Sequence, residues 1–167
     1  MVDSWPTWDE WLRSLDEGDR AVALVLRDRL AALGAEDAES WARSEVSEGI
    51  PQQVRFLILR RLWRDAVDAW AAPAALERLP AAKRLLDAGA DRDDLVRVAR
   101  AAAYEAVFAT VWAIDEGHGP EAPKDCPGWQ LVEADPDGNP TGREVGGLHE
   151  SFQSMDPSGQ EGADLWT

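Results

Sequence analysis

Apolar positions recur at helical spacing through the first two thirds of the chain, between polar residues that mark where each helix starts and stops. Thr7-Trp-Asp-Glu10 has the spacing of a capping box, with the Glu10 side chain able to reach back to the Thr7 amide, and Gly18 suits the turn that follows. Trp5, Trp8 and Trp11 fall at i, i+3, i+6 and predict one aromatic face on this first helix, anchoring it to the core. Asp19 reads as the cap of a second helix that runs to Gly34, with Val22, Val25, Leu26, Leu30 and Leu33 on one stripe. A third helix spans about Asp37 to Glu48 and stops at Gly49.

Pro51 is well placed at the start of a fourth helix, which meets no breaker until Pro73. A shorter helix runs from Pro80 to Ala88 before Gly89, and a long one from Asp91 to Gly117. Between Ala101 and Ile114 only Glu105 is charged, so this last helix is expected to be buried on several sides, as the central element. On the Pro51 helix, Arg55 falls in the middle of the apolar arc, between Leu62 and Ala66. A guanidinium there needs a mate, since a stranded buried charge costs several kcal/mol. Glu105 is the expected partner in a buried polar pair, structural or ligand-binding; the alternative is that Arg55 snorkels to water.

After Gly117 the pattern changes. Prolines and glycines describe an irregular connection, Trp129–Ala134 alternates like a strand, Asp135–Gly142 is rich in turn formers, and Arg143–Phe152 is expected to return as the partner strand. The predicted class is mainly α, five to six helices in a bundle-like arrangement, with a small C-terminal β-hairpin or loop region packed on it. Residues 1–117 form the bundle and 118–167 the irregular, hairpin-bearing region of the same domain. Lys83–Asp91 resembles the closing phrase of an ankyrin repeat, but no 33-residue period recurs, so it reads as a helix ending at Gly89.

Composition narrows the function. The chain of 167 residues has room for one cored domain, and 45% hydrophobic residues place it outside the compositions that fail to fold. Its net charge is −15, and the stretch from Asp115 to Thr167 holds twelve carboxylates against two basic side chains. Such a chain repels nucleic acid and membrane phosphates and attracts basic partners. The opening MVDSWPTWDE lacks the basic stretch and apolar run of a leader, and Ala21–Leu26 is too short to span a bilayer. A single cysteine, Cys126, excludes an internal disulfide framework. The expected setting is the cytoplasm.

The candidate chemistry is sparse. Asp135, Asp137 and Asn139 occupy the first ligand positions of a calcium loop, but Pro140 and Gly146 stand where the turn glycine and the bidentate glutamate belong. His118, Cys126 and His149, with Glu150 adjacent, are zinc-type ligands at no recognised spacing, and a Cys126–His pair lacks an orienting third group. No metal, cofactor or catalytic residue is therefore predicted; whether the chain is an enzyme stays open, with a non-enzyme preferred.

Three classes of function remain. The preferred one is a small acidic module, of inhibitor or immunity type, that masks a basic protein partner. Its expected contact residues are Asp115, Glu116, Trp129, Glu133, Asp135, Asp137, Glu144, Glu150, Asp156 and Trp166. The second is an enzyme or small-ligand binder using Arg55/Glu105, Glu45, Glu48 or the His118/His149 region. The third is a nucleic-acid mimic. Oligomeric state is not legible.

Overall fold

The computed structural model describes residues 6–166. The protein is mainly helical with one small antiparallel hairpin, as the pattern predicts. Its contacts divide the chain into two units, the first up to Phe56 with Val132–Val145, the second Leu57–Leu131 with the segment from Gly146 onward. The seam thus falls inside a helix, and each unit draws on both sides of Gly117.

In the first unit, α1 (Trp8–Ser14) carries the expected capping box: the Glu10 amide donates to Thr7 Oγ1 at 3.3 Å and the Thr7 amide to Glu10 Oε2 at 2.9 Å. Trp8 and Trp11 are buried with ring centroids 5.0 Å apart, while Trp5 lies outside the described residues. Helix α2 (Glu17–Ala32) starts three residues earlier than expected, because Asp16 rather than Asp19 is the cap and Gly18 sits in the first turn. Its buried stripe is Ala23, Leu26 and Leu30; Val22 and Val25 are exposed, since the inward face is centred one residue further round. Helix α3 (Ala38–Glu48) is capped by Asp37 and closed by Gly49 at φ 72°, as expected. It packs along α2 and buries Ala38, Ala42 and Glu45.

Strands β1 (Val132–Ala134) and β2 (Pro140–Glu144) pair antiparallel with Val132 opposite Glu144 and a register shift before Ala134 meets Pro140. Asp135 builds the turn, accepting from the Asp137 amide at 3.0 Å and the Asn139 amide at 2.8 Å. Arg143 ties the hairpin to α3 through Glu45 at 2.8 Å, with Glu133 on its other side at 3.3 Å. Glu45 also accepts the Gln53 amide at 2.8 Å, at the start of α4 (Gln52–Leu62).

The second unit takes over partway along α4. Past Leu62 the helix widens to a π turn over Trp63–Val67, then tightens over Asp68–Ala71 before Pro73 ends it. Helices α5 (Pro80–Asp87) and α6 (Arg92–Glu116) follow, near the positions expected. The stretch expected as a long return strand to Phe152 stops at Glu144. Gly147 takes a left-handed φ of 65°, and Leu148–Phe152 forms α7. Leu148 and Phe152, at i and i+4, lie on one face of this turn of helix and are both buried.

Phe152 stacks on Trp63 at 5.2 Å and on Tyr104 at 5.2 Å, and its carbonyl accepts from Trp63 Nε1 at 2.7 Å. These rings, with Val67 and Val111, are the core of the unit.

Helix α6 corrects the expectation of burial on several sides. Among its 25 residues only Val111 is buried. Arg100, Tyr104, Phe108, Val111 and Asp115 share the inward side, while Val98, Ala102, Glu105, Ala106, Ala109, Trp112 and Ala113 are exposed. The all-round hydrophobicity is largely alanine, a strong helix former with one small methyl to hide, so apolar composition there does not require burial.

Candidate functional site

The open face of α6 is the first candidate. Ala102, Ala106, Ala109 and Ala113 lie at i, i+4, i+7 and i+11, a smooth strip that lets another backbone approach closely. Trp112 and Trp129, each 46% exposed, border it. Trp129 is held there by its chain: its amide donates to the Gly117 carbonyl at 2.8 Å and its Nε1 to the Ala113 carbonyl at 2.9 Å. The approach requires glycine, since a Cβ on Gly128 would run into the Gly117 carbonyl oxygen. The result is a shallow groove of about 410 Å³ lined by Ala109, Thr110, Ala113, Ile114 and Trp129. Glu105 and Glu116 are the charges on this face, and no basic residue occurs between Arg100 and Lys124.

At the C-terminal end of α6, Asp115 and His149 form a dyad. Asp115 Oδ2 accepts from the His149 amide at 2.8 Å and from its Nδ1 at 2.7 Å; facing a carboxylate, Nδ1 carries the proton. The Asp115 side chain is 5% exposed, and its Oδ1 has no hydrogen-bond partner among the described residues. The imidazole lies 4.5 Å from the Trp112 ring and meets Phe108 edge-on.

A second, half-buried ionic group stands further up the helix. Arg100 donates to Asp68 at 2.9 Å and Asp164 at 2.6 Å. Burial opposes its charge, but the bonds to the two carboxylates outweigh this and hold its pKa above the usual value. Asp68 shifts upward too, first because it is desolvated and then because Asp156 and Asp164 lie near, with Arg100 pulling the other way. The two directions are consistent: one cation is shared among several carboxylates, so the cation is favoured and the Asp68 anion less so. Asp156 is buried and accepts from the Gly162 amide at 2.7 Å and the Ser158 hydroxyl at 2.8 Å, which fixes the C-terminal loop. This group has the marks of a structural clamp.

Several residues expected at a binding surface are thus spent internally. Asp156 is buried and the Asp115 side chain is 5% exposed, and each satisfies backbone amides of its own unit; Glu133 pairs with Arg143, and Asp135 caps its turn. Backbone bonds from Asn139 pull the Asp135 pKa down. Glu116, Trp129, Asp137, Glu144, Glu150 and Trp166 are exposed. Arg55 is buried, as its place on the wheel predicts, and donates to Gln52 Oε1 at 2.8 Å. Glu105 is exposed rather than buried, because it lies on the open side of α6.

His118 is exposed with its Nδ1 2.6 Å from the Glu116 carbonyl, Cys126 is exposed, and His149 belongs to the dyad. Among the described residues no three His, Cys, Asp or Glu side chains are placed to hold a metal. In the first unit a half-open hollow of about 650 Å³ beside Trp11, Ser44 and Glu48 holds Arg43, whose guanidinium is taken by the Pro6 carbonyl at 3.0 Å and the Trp11 ring at 5.2 Å. It brings together no nucleophile and base. No helix among the described residues is long and apolar enough to cross a membrane.

The dyad is an arrangement that the sequence does not announce. Asp115 and His149 each carry a candidate side chain, but a separation of 34 in sequence gives no spacing signal. The chain matches no protein family, no curated protein and no solved structure.

Proposed function

We propose that this chain is a cytoplasmic protein-binding module whose contact surface is the open face of α6, and that its partner is a basic protein presenting a helix. The observation that carries this reading is the exposure of Ala102, Ala106, Ala109 and Ala113 between two half-exposed tryptophans, on a helix of 25 residues. Exposed apolar surface of this extent on a small protein marks interaction sites, and tryptophan is a favoured anchor at their centres. A second copy of the chain fits less well than a basic partner. A second copy would bring another chain of net charge −15 against the same face, with Glu105 and Glu116 on both sides of the contact. A helix with small residues on one stripe and a basic residue opposite Glu105 satisfies both the shape and the charge. The lone exposed Cys126 fits a reducing compartment.

The test is affinity capture from the native cell with the wild-type chain and with an Ala106→Glu/Ala109→Glu variant, each at low and high salt. The expected result is a basic protein retained by wild type, recovered less as salt rises and lost with the variant. Equal recovery of every protein by both forms would overturn the reading. The two substitutions sit on exposed helix positions, so the thermal midpoint of the variant should stay near that of wild type.

A further inference from the structure

We propose that Asp115, His149 and Trp112 form a receptor for a single guanidinium group, the arginine side chain by which the basic partner is anchored at the end of α6; this rests on the protein-binding reading above. The Asp115 carboxylate is almost wholly out of water, and both hydrogen bonds it accepts, at 2.8 and 2.7 Å, come from one residue, His149, on the same oxygen. Its second oxygen, Oδ1, is buried and unpartnered among the described residues, so the carboxylate keeps hydrogen-bonding capacity that nothing there uses.

The dyad also fixes what the imidazole presents. In the Nδ1–H tautomer that the Asp115 carboxylate favours, Nε2 is the ring's acceptor, and it makes no hydrogen bond among the described residues while the side chain remains 24% exposed. Trp112 stands 4.5 Å from that ring, centroid to centroid, and is 46% exposed, so an indole surface adjoins the open nitrogen. Glu116 and Glu150, the chain neighbours of the two dyad residues, are both exposed and add negative potential.

An aromatic surface, an acceptor nitrogen and a carboxylate with one unpartnered oxygen, beside exposed Glu116 and Glu150, converge on one ligand chemistry. A guanidinium stacks flat on an indole and donates in its own plane, whereas an ammonium is a compact, strongly hydrated point charge. His118 lacks all three features: it is exposed, and its Nδ1 faces a backbone carbonyl 2.6 Å away. With two histidines in the chain, one is the site and the other its control.

The experiment is a titration of the full ¹⁵N-labelled chain at pH 8, followed through its histidine ring nitrogens. The probes are a capped alanine-based helical peptide with one central arginine, the same peptide with lysine, and Nα-acetylarginine methylamide. The arginine peptide should move the His149 Nε2 signal saturably and leave His118 in place, and Trp112→Leu should weaken binding at least about tenfold. The lysine peptide should bind more weakly than the arginine one. Parallel shifts of both histidines, an unchanged titration in Trp112→Leu, or equal binding of the arginine and lysine peptides would overturn the proposal. Binding of the small arginine amide as tight as that of the peptide would assign a free-ligand site and overturn the anchor. Loss of the captured partner in Ala106→Glu/Ala109→Glu, without any arginine titration, would leave the α6 surface standing and remove this anchor alone.

Discussion

Single side chains in this protein do more organising work than their types announce. Arg100 joins α6 to Asp68 and to Asp164 with its own side chain 16% exposed. Arg100→Met should leave two carboxylates without their cation and destabilise the chain by about 2 kcal/mol, less than a fully buried pair because Asp68 keeps a third of its side chain in water. Chemical denaturation of both proteins measures this, and an unchanged midpoint would show that the clamp is only a surface contact. Trp63 combines stacking with a hydrogen bond to the Phe152 carbonyl at 2.7 Å. Trp63→Phe keeps a ring but strands that buried carbonyl, at a cost of about 1–3 kcal/mol, and Trp63→Ala adds a cavity for a total of about 3–5 kcal/mol. Equal losses for the two variants would mean that the hydrogen bond contributes nothing. None of these partnerships is legible in sequence, because 64 positions separate Arg100 from Asp164 and 89 separate Trp63 from Phe152.

Helix ends, by contrast, follow local chemistry and were readable. Thr7, Asp37 and Asp91 cap helices where their side chains can reach the free amides, and Gly49, Gly89 and Gly117 end them with a positive φ. The exceptions have physical causes. Asp16 and Asp19 are equally good caps three residues apart, and only packing chooses between them. A single turn such as α7 is too short for periodicity to show. The open face of α6 escaped because an alanine face reads as apolar without needing a core. The capping box makes a pH prediction. The Thr7 backbone amide holds the Glu10 carboxylate below its ordinary range. On acidification the unfolded chain therefore takes up its proton first, so this stabilisation is full above the usual Glu range and lost as pH falls through the depressed value. Glu10→Gln should lower the denaturation midpoint at about pH 7 and leave it nearly unchanged at about pH 2. A midpoint difference independent of pH would contradict the assignment.

At the scale of the whole molecule, the net charge of −15 remains the property that limits what can bind. The acidic C-terminal quarter is not simply an outward-facing patch. Part of it holds the fold, through Asp115, Glu133, Asp135, Asp156 and Asp164, and part is exposed. A basic partner should therefore be steered by the remaining charge, with an association rate that falls as salt rises, and held by apolar contact on α6, whose strength changes little. Charge and class were legible from composition; the surface was not, since exposure is set by which side of α6 the rings of Tyr104 and Phe108 draw inward. The most direct measurement places a photo-crosslinking amino acid at Ala109 in the native cell, with the same group at Glu39 on α3 as the comparison. The account predicts a covalent adduct to a basic protein from position 109 and none from position 39. Adducts of equal yield and identity from both positions, or none from 109, would contradict it.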